Sequence, residues 1–200
     1  MPDPAKLVLI TGGGSGMGRE AARRFAERGE TVALFDVNVQ GMAETRGSSD
    51  RIHCWTVDIT DFAAVCAAVK EVEQTLGPIE RLYNCAAIMP FGKLLEQDNA
   101  IIHKQMAINY GGLVNITQAV LPGMLARKQG KIVHIASLMS ELARPSVVPY
   151  TAAKGGVLAA IARWGTQQGR PVPVYFIGVG ETMEDLQTFN ALEFAQALVA

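Results

Sequence analysis

The sequence predicts a doubly wound α/β fold, in which helices cover both faces of one parallel sheet. Short apolar runs alternate with longer segments of helical periodicity, which is the pattern of parallel strands joined by crossover helices. The runs are apolar at both alternating positions, as expected for strands that are covered on two faces. The six predicted strands are Lys6–Thr11, Thr31–Asp36, Arg51–Asp58, Ile79–Ala86, Lys131–Ser137 and Val172–Gly180.

Helices fit between and after these runs. The first one ends just before Gly29, a residue type that commonly follows a helix. The longest one contains Pro122, where we expect a bend. Gly41–Asp50 is rich in turn-forming residues and is predicted to be a flexible surface loop. The predicted helices are Gly16–Arg28, Asp61–Leu76, Asp98–Arg127, Tyr150–Trp164 and Glu184–Val199.

Composition indicates one globular domain over residues 1–200. A chain of 200 residues with 49% apolar residues can bury a substantial core and is too apolar for a disordered protein. Its 18 basic and 19 acidic residues give a net charge of -1, which argues against nucleic acid or an anionic membrane as a partner. Apolar runs fall short of the roughly 18 residues that a spanning helix needs, and glycines come too early for a signal peptide. We therefore expect a cytoplasmic protein.

Cysteines and histidines show no metal-binding pattern. There are three of each, without a CxxC pair and far apart along the chain. We expect free thiols and no metal site. The six residues are Cys54, Cys66, Cys85, His53, His103 and His134.

A glycine-rich turn, TGGGSGMG at Thr11–Gly18, follows the first predicted strand and opens the first predicted helix. Glycines let backbone N–H groups and the positive helix end approach a pyrophosphate, as a dinucleotide site requires. A GTPase-type phosphate loop is excluded, because Arg19 and Glu20 stand where Lys and Ser or Thr would be needed.

Two carboxylates lie at the ends of the next two predicted strands. Asp36 is placed to accept hydrogen bonds from an adenosine ribose diol and to repel a 2′-phosphate, which favours NAD over NADP. The alternative is that Asp36 caps the segment that begins at Asn38. Asp58 is a candidate for binding the adenine amino group, whereas Asp58 or Thr60 could equally cap the next helix.

TGGGSGMG, Asp36 and the sequence YTAAK at Tyr150–Lys154 together resemble the short-chain dehydrogenase/reductase family. The family's NNAG appears as NCAA, and Ala87 would crowd the cofactor ribose if its backbone needed a positive φ. The resemblance implies a Rossmann-like sheet with strand order 3-2-1-4-5-6 and an NAD site. The implied cofactor-binding residues are Gly12, Ser15, Gly16, Met17, Gly18, Asp36, Val37, Asp58, Ile59, Asn84, Ala86, Tyr150, Lys154 and Thr182.

The resemblance also implies four catalytic residues. Asn109 matches the residue that supports a proton-relay water, and Ser137 matches the one that binds the substrate oxygen. Tyr150 matches the general acid/base, and Lys154 matches the residue that binds the nicotinamide ribose. The last two lie one helical turn apart, so that the ammonium can stabilise the phenolate.

Residues 155–200 depart from that family. The lid that encloses the substrate and the seventh strand are missing, and the segment is similar to the C-terminal end of the signal recognition particle receptor GTPases. The similar features are AKGGV, YFIGVGE, Asp185, Leu186, Phe189 and Phe194. We therefore predict an engineered, de novo chimera in which a dehydrogenase-like part, residues 1–154, is closed by a GTPase-derived strand and helix. Thr182 either contacts the nicotinamide amide or lies in a turn that only closes the sheet.

These observations predict an NAD-dependent oxidoreductase that acts on an alcohol or ketone with weak turnover, as a monomer or homodimer. The alternative is a catalytically inactive scaffold made from recombined fold fragments. A third hypothesis is a GTPase-like or protein-interaction module inherited from residues 155–200.

Overall fold

The computed structural model of the chain describes residues 6–137, 139, 145–167, 176–178 and 186–188. Its main feature is a parallel sheet of five strands in the order β3-β2-β1-β4-β5. The strands are β1 (Leu7–Thr11), β2 (Thr31–Asp36), β3 (Ile52–Thr56), β4 (Ile79–Asn84) and β5 (Lys131–His134). The doubly wound α/β architecture is therefore confirmed for this part of the chain.

Six α-helices connect or follow these strands within the described residues. Helices α4 and α5 are separated by a π-helical segment, Ala107–Gly112. In the described part of the chain, no helix is long and apolar enough to cross a membrane. The helices are α1 (Gly16–Glu27), α2 (Val39–Arg46), α3 (Phe62–Leu76), α4 (Asn99–Met106), α5 (Leu113–Arg127) and α6 (Val148–Gln167).

The core consists of two apolar layers, one on each face of the sheet. Leu9 and Phe35 point to the face that α3 and α5 cover, where Ile116 is fully buried. Val8 and Ile10 point to the opposite face and pack with α1 and α2. Successive residues of a strand point to opposite faces, so a strand buried on both sides must be continuously apolar. This explains why periodicity predicted the first five strands well.

The sixth predicted strand does not join the main sheet. Phe176–Gly178 forms β6, which pairs antiparallel with β7 (Leu186–Thr188) in a separate two-stranded sheet. The prediction of a helix over Glu184–Val199 is thus wrong at Leu186–Thr188, and within the described residues the main sheet has five strands in place of the predicted six. An antiparallel pair needs only a short connection, whereas a parallel addition needs a long crossover.

The predicted loop Gly41–Asp50 is also partly wrong, because α2 occupies Val39–Arg46. Gly41 is buried there, and a Cβ on it would lie 2.5 Å from the carbonyl oxygen of Gly14. This glycine therefore allows close packing of a helix against the glycine-rich turn rather than forming a turn itself.

The long helix predicted over Asp98–Arg127 is interrupted by a π-helical segment and not at Pro122. Helix α5 continues through Pro122 to Arg127, and the irregularity is the π-helical segment Ala107–Gly112. Single π-helical turns within α-helices are frequent at functional sites. The side chain of Asn109 lies in this segment, which relates the irregularity to the site described next.

Candidate functional site

The candidate residues gather at the carboxyl ends of the central strands. The strand order reverses between β1 and β4, since β2 and β3 lie on one side of β1 and β4 and β5 on the other. In open α/β sheets, ligands bind in the crevice at such a reversal. The glycine-rich turn leaves β1 at this point and leads into α1.

Gly12 makes the turn out of β1. Its φ is +71°, in the left-handed region that favours glycine, and its N–H donates to the carbonyl oxygen of Phe35 at 2.9 Å. A Cβ on Gly12 would lie 2.6 Å from the Cα of Ala86. The turn therefore passes against the backbone that follows β4, where only a glycine fits.

The amino end of α1 opens towards solvent. Ser15 is the N-cap residue but makes no side-chain capping bond, and Ser15, Gly16 and Met17 are exposed. The first N–H groups of a helix have no partner within it and carry the positive end of the helix dipole. Gly18 lies inside, because a Cβ there would be 2.3 Å from the carbonyl oxygen of Gly12.

The Asp36 carboxylate lies beside this turn. Its Oδ2 accepts from the N–H of Gly14 at 2.8 Å, and its Oδ1 accepts from the N–H of Asn38 at 2.9 Å. The cap of α2 is Asn38, whose Oδ1 accepts from the N–H of Gly41 at 2.9 Å. Asp36 thus links β2 to the glycine-rich turn and does not cap α2 itself, while Val37 next to it is exposed.

The segment after β3 holds the next two candidates. Asp58 is exposed, and its Oδ1 accepts from the N–H and the hydroxyl of Thr60 at 2.9 and 2.7 Å. Neither residue caps α3, contrary to the alternative raised above, because Asp61 does so by accepting from the N–H of Ala64 at 3.0 Å. Ile59 is buried, with its carbonyl oxygen bound by Asn115.

Asn84 has a buried side chain that ties three strands together. Its Oδ1 accepts from the Thr11 hydroxyl at 3.2 Å, and its Nδ2 lies 3.0 Å from Nδ1 of His134. Burial lowers the pKa of His134 to about 4, and the charge of Lys154 acts in the same direction. The imidazole is therefore neutral, so its Nδ1 can accept from the Asn84 amide. Asn84 can reach a ligand only through its backbone.

Lys154 and Tyr150 lie together on α6. The Lys154 side chain is 3% exposed, and its Nζ donates to the carbonyl oxygen of Ile135 at 2.6 Å and lies 5.7 Å from the centre of the Tyr150 ring. Burial lowers the pKa of Lys154. Burial also raises the pKa of the Cys85 thiol to about 11, against the opposing effect of Lys154. The structure thus confirms that the Tyr150 and Lys154 side chains share one side of the helix.

Asn109 uses its side chain to hold the backbone that follows β4. Its Oδ1 accepts from the N–H of Ile88 and its Nδ2 donates to the carbonyl oxygen of Ile88, both at 2.8 Å. Asn109 is buried, and Gln105 one turn earlier donates to the same carbonyl oxygen at 3.3 Å. The π-helical segment is therefore anchored to residues beside the crevice.

Three remaining candidates have different outcomes. The Ser137 hydroxyl, half-buried after β5, accepts from the N–H of Met139 at 3.2 Å. Thr182 lies outside the described residues. Ala87 has no positive φ, since Lys128 is the only described residue other than glycine in that region, so the anticipated crowding does not arise.

Sequence reasoning missed several residues that shape the site. Thr11 accepts from the N–H of Ala86 at 3.3 Å, and Arg19 binds the carbonyl oxygen of Gly14. Thr11 is the first residue of the glycine-rich motif and Arg19 directly follows it, a signal that could have drawn attention to them. Nothing in the sequence distinguishes His134 from other strand residues. In the described part of the chain, no three His, Cys, Asp or Glu side chains form a group suited to a metal ion.

A family model described as short chain dehydrogenase matches residues 6–189. This chain is a member of the short chain dehydrogenase family. The match includes the turn at Gly12, the Asp36 carboxylate and the Tyr150/Lys154 pair. It also runs beyond residue 155.

Relatives within the family include two bacterial dehydrogenases. One is 2-dehydro-3-deoxy-L-rhamnonate dehydrogenase (NAD(+)) of Sphingomonas sp. (strain SKA58), 33% identical over 154 residues, with 76% of this chain and 62% of the relative covered. The other is gluconate 5-dehydrogenase of Gluconobacter oxydans (strain 621H), 35% identical over 167 residues, with 82% of this chain and 65% of the relative covered.

A similar solved structure is that of a gluconate 5-dehydrogenase from Burkholderia cenocepacia J2315 in complex with NADP and tartrate. It is 34% identical to this chain with a TM-score of 0.75, covering 82% of this chain and 66% of that protein. This short chain dehydrogenase chain therefore spans between 62% and 66% of the length of these three relatives.

A substitution at Gly12 tests the close approach of the turn to β4. Gly12→Ala should destabilise the fold by about 3 kcal/mol or more and abolish dinucleotide binding, because the new Cβ meets backbone atoms. Gly29→Ala is the matched control, since Gly29 also has a positive φ, +84°, but nothing within 4 Å of its Cβ position. The control should cost about 1 kcal/mol. Urea unfolding measures both, and equal losses would contradict the packing described here.

The lowered pKa of His134 predicts that the folded protein loses stability in mild acid. The unfolded imidazole takes up a proton near its ordinary pKa of 6.5, whereas the folded one does so only at about 4. His134 therefore leaves the free energy of unfolding unchanged well above pH 6.5 and lowers it as the pH drops towards 4. At about pH 5.5 the loss is about 1 kcal/mol. His134→Gln should remove this part of the pH dependence in urea unfolding, and His103→Gln, an exposed control on α4, should keep it. The same pH dependence in both variants would exclude His134 as its source.

Proposed function

We propose that this chain binds NAD and serves as an oxidoreductase that interconverts an alcohol and a ketone. The observation that carries the proposal is the Asp36 carboxylate, held 2.8 Å from the N–H of Gly14 beside the uncapped start of α1. A diphosphate and the neighbouring ribose diol need these two features side by side: free helix N–H groups and a hydrogen-bond-accepting carboxylate.

The described residues fit a dinucleotide along the carboxyl edge of the sheet. The turn at Gly12 and the first N–H groups of α1 would hold the diphosphate, and Asp36 with Val37 would meet the adenosine ribose. Asp58 and Ile59 would border the adenine, and the backbone of Asn84 and Ala86 would line the other ribose. When bound, nicotinamide supplies the hydride acceptor or donor.

The proton chemistry falls to the residues around α6. We propose that the Tyr150 phenolate accepts the proton of the substrate alcohol during oxidation, and that the Tyr150 hydroxyl donates a proton to the ketone oxygen during reduction. The buried Lys154 ammonium near the Tyr150 ring stabilises the phenolate and binds the nicotinamide ribose. Ser137 would orient the substrate oxygen.

Asn109 would support a proton-relay water through its backbone. Both polar atoms of its side chain bind Ile88, so we assign this role to the main chain of the π-helical segment. In this role Asn109 is a positioning residue rather than one that touches the substrate.

The relatives support the same reaction class. Their names describe dehydrogenases of sugar acids, one of them with NAD(+), while the similar solved structure contains NADP. For this chain, the choice of NAD over NADP rests on Asp36, since its charge would repel a 2′-phosphate.

Several properties that the sequence predicts are not tested by the observations above and stay predictions. They are the single domain over residues 1–200, the cytoplasmic location, the monomeric or homodimeric state, the weak turnover and the chimeric origin of residues 155–200. The family match to residue 189 extends past the junction expected near residue 155, which favours a common origin for most of the chain. An inactive scaffold remains the alternative, and the absence of turnover in the second experiment below would support it.

Fluorescence titration with NADH and NADPH tests the cofactor proposal. The wild-type protein should bind NADH more tightly than NADPH. Asp36→Ala should weaken NADH binding by about tenfold, because the ribose diol loses its hydrogen-bond acceptor, and should reduce the preference for NADH, because a 2′-phosphate is no longer repelled by the carboxylate. Asp50→Ala, at an exposed carboxylate before β3, is the control. If Asp36→Ala only disordered the glycine-rich turn, the binding of NADH and of NADPH would weaken equally. No NADH binding at millimolar concentration would refute the proposal.

Substitution of Tyr150 tests the catalytic role. Tyr150→Phe should lower the turnover of any alcohol oxidised in a broad screen by about 100-fold or more, because the general acid/base is removed. Tyr83→Phe is the control, since Tyr83 lies on β4 with its ring packed against Phe25. Full activity in Tyr150→Phe would place the acid/base elsewhere.

A further inference from the structure

Arg19 lies in the first turn of α1, and its side chain packs against the backbone of the glycine-rich turn. Its Nη2 donates to the carbonyl oxygens of Gly14 and Gly41 at 2.5 and 3.4 Å, and its Nε donates to the Thr45 hydroxyl at 3.1 Å. Thr45 in turn donates to the carbonyl oxygen of Gly13 at 2.7 Å. The guanidinium is therefore fixed against the turn rather than moving freely in solvent.

Glu44 neutralises this guanidinium. Its Oε2 lies 3.0 Å from Nη2 of Arg19, with side-chain exposures of 28% for Arg19 and 53% for Glu44. Among the described residues, none accepts a hydrogen bond from Nη1 of Arg19, so part of the guanidinium remains available to another anion. Glu44 is exposed and lies on α2, outside the glycine motif itself.

A single residue, Gly14, connects the guanidinium to the Asp36 carboxylate. The carbonyl oxygen of Gly14 accepts from Arg19, while the N–H of the same residue donates to Asp36. The position where a ribose diol would meet Asp36 is thus close to a fixed cation whose charge a second carboxylate cancels. Charges this near a surface interact across several ångströms and are screened by salt.

We propose that Glu44 is a second determinant of cofactor choice, acting by neutralising Arg19. This inference rests on the proposed dinucleotide site and deepens it. Asp36 disfavours a 2′-phosphate directly, and Glu44 disfavours it indirectly, because it withholds the only cation that the described structure fixes against the turn. Without Glu44, the Arg19 charge is left to attract the additional phosphate.

The test compares 2′,5′-ADP with 5′-AMP by calorimetry, since these probes differ only in the 2′-phosphate and need no catalysis. In an Asp36→Ala background, Glu44→Gln should tighten the binding of 2′,5′-ADP by threefold to tenfold and change that of 5′-AMP less than twofold. Most of this gain should be lost at about 0.5 M salt. Glu20→Gln is the matched control, because it removes the same charge one residue from Arg19, where the carboxylate pairs with Arg24. It should leave the ratio of the two affinities unchanged.

A third variant distinguishes an effect of the Arg19 charge from an effect of Glu44 on the packing of α2. In the same background, Glu44→Gln combined with Arg19→Gln should abolish the gain for 2′,5′-ADP, since the cation fixed against the turn is then removed. If Glu44 only braced α2, Glu44→Gln would weaken both probes alike, and this result would overturn the inference. An unchanged affinity ratio in Glu44→Gln would do the same.

The wild-type NADH titration keeps this result distinct from the proposed function. NADH binding together with an unchanged affinity ratio in Glu44→Gln leaves the cofactor site standing and removes only the role of Glu44. Absence of both NADH and 5′-AMP binding removes the cofactor site and the inference together.

Discussion

The narrow passage of the glycine-rich turn between β2 and β4 is the constraint on which the rest of the structure depends. A Cβ on Gly13 would lie 2.0 Å from the Cδ1 of the buried Leu34, and one on Gly12 would lie 2.6 Å from the Cα of Ala86. The turn can therefore pack closely against the ends of the strands only because Gly12 and Gly13 have no side chains. Because it does, α1 begins directly above the reversal point of the sheet, with its first N–H groups open to solvent.

A continuous set of polar contacts holds the two halves of the site at the same edge. On one side, Asp36 binds the N–H of Gly14; on the other, Asn84 connects Thr11 with His134 across β1, β4 and β5. Buried polar groups stabilise a unique arrangement when each has a partner, and they are costly when one is lost. The position of Lys154, bound to the carbonyl oxygen just after β5, extends this set to α6.

The sequence predicted the parts of the fold that follow from periodicity and glycine chemistry. Five strands, the bounds of α1 and α3 and the grouping of Tyr150 with Lys154 are close to the structure. Gly41 was misinterpreted, because a glycine needed for close helix packing has the same signature as one in a turn. The sixth strand was assigned to the wrong sheet, because an apolar run indicates a strand but not the strand beside it.

The sequence by itself determined the alternation of strands and helices, the glycine-rich turn and the carboxylate that follows β2, since these depend on local periodicity and residue type. Only the tertiary structure decided which groups satisfy one another: Arg19 with Glu44, Asn84 with His134, and Asn109 with Ile88. Each of these pairs joins residues far apart along the chain, and a hydrogen bond depends on distances and directions that no local pattern encodes.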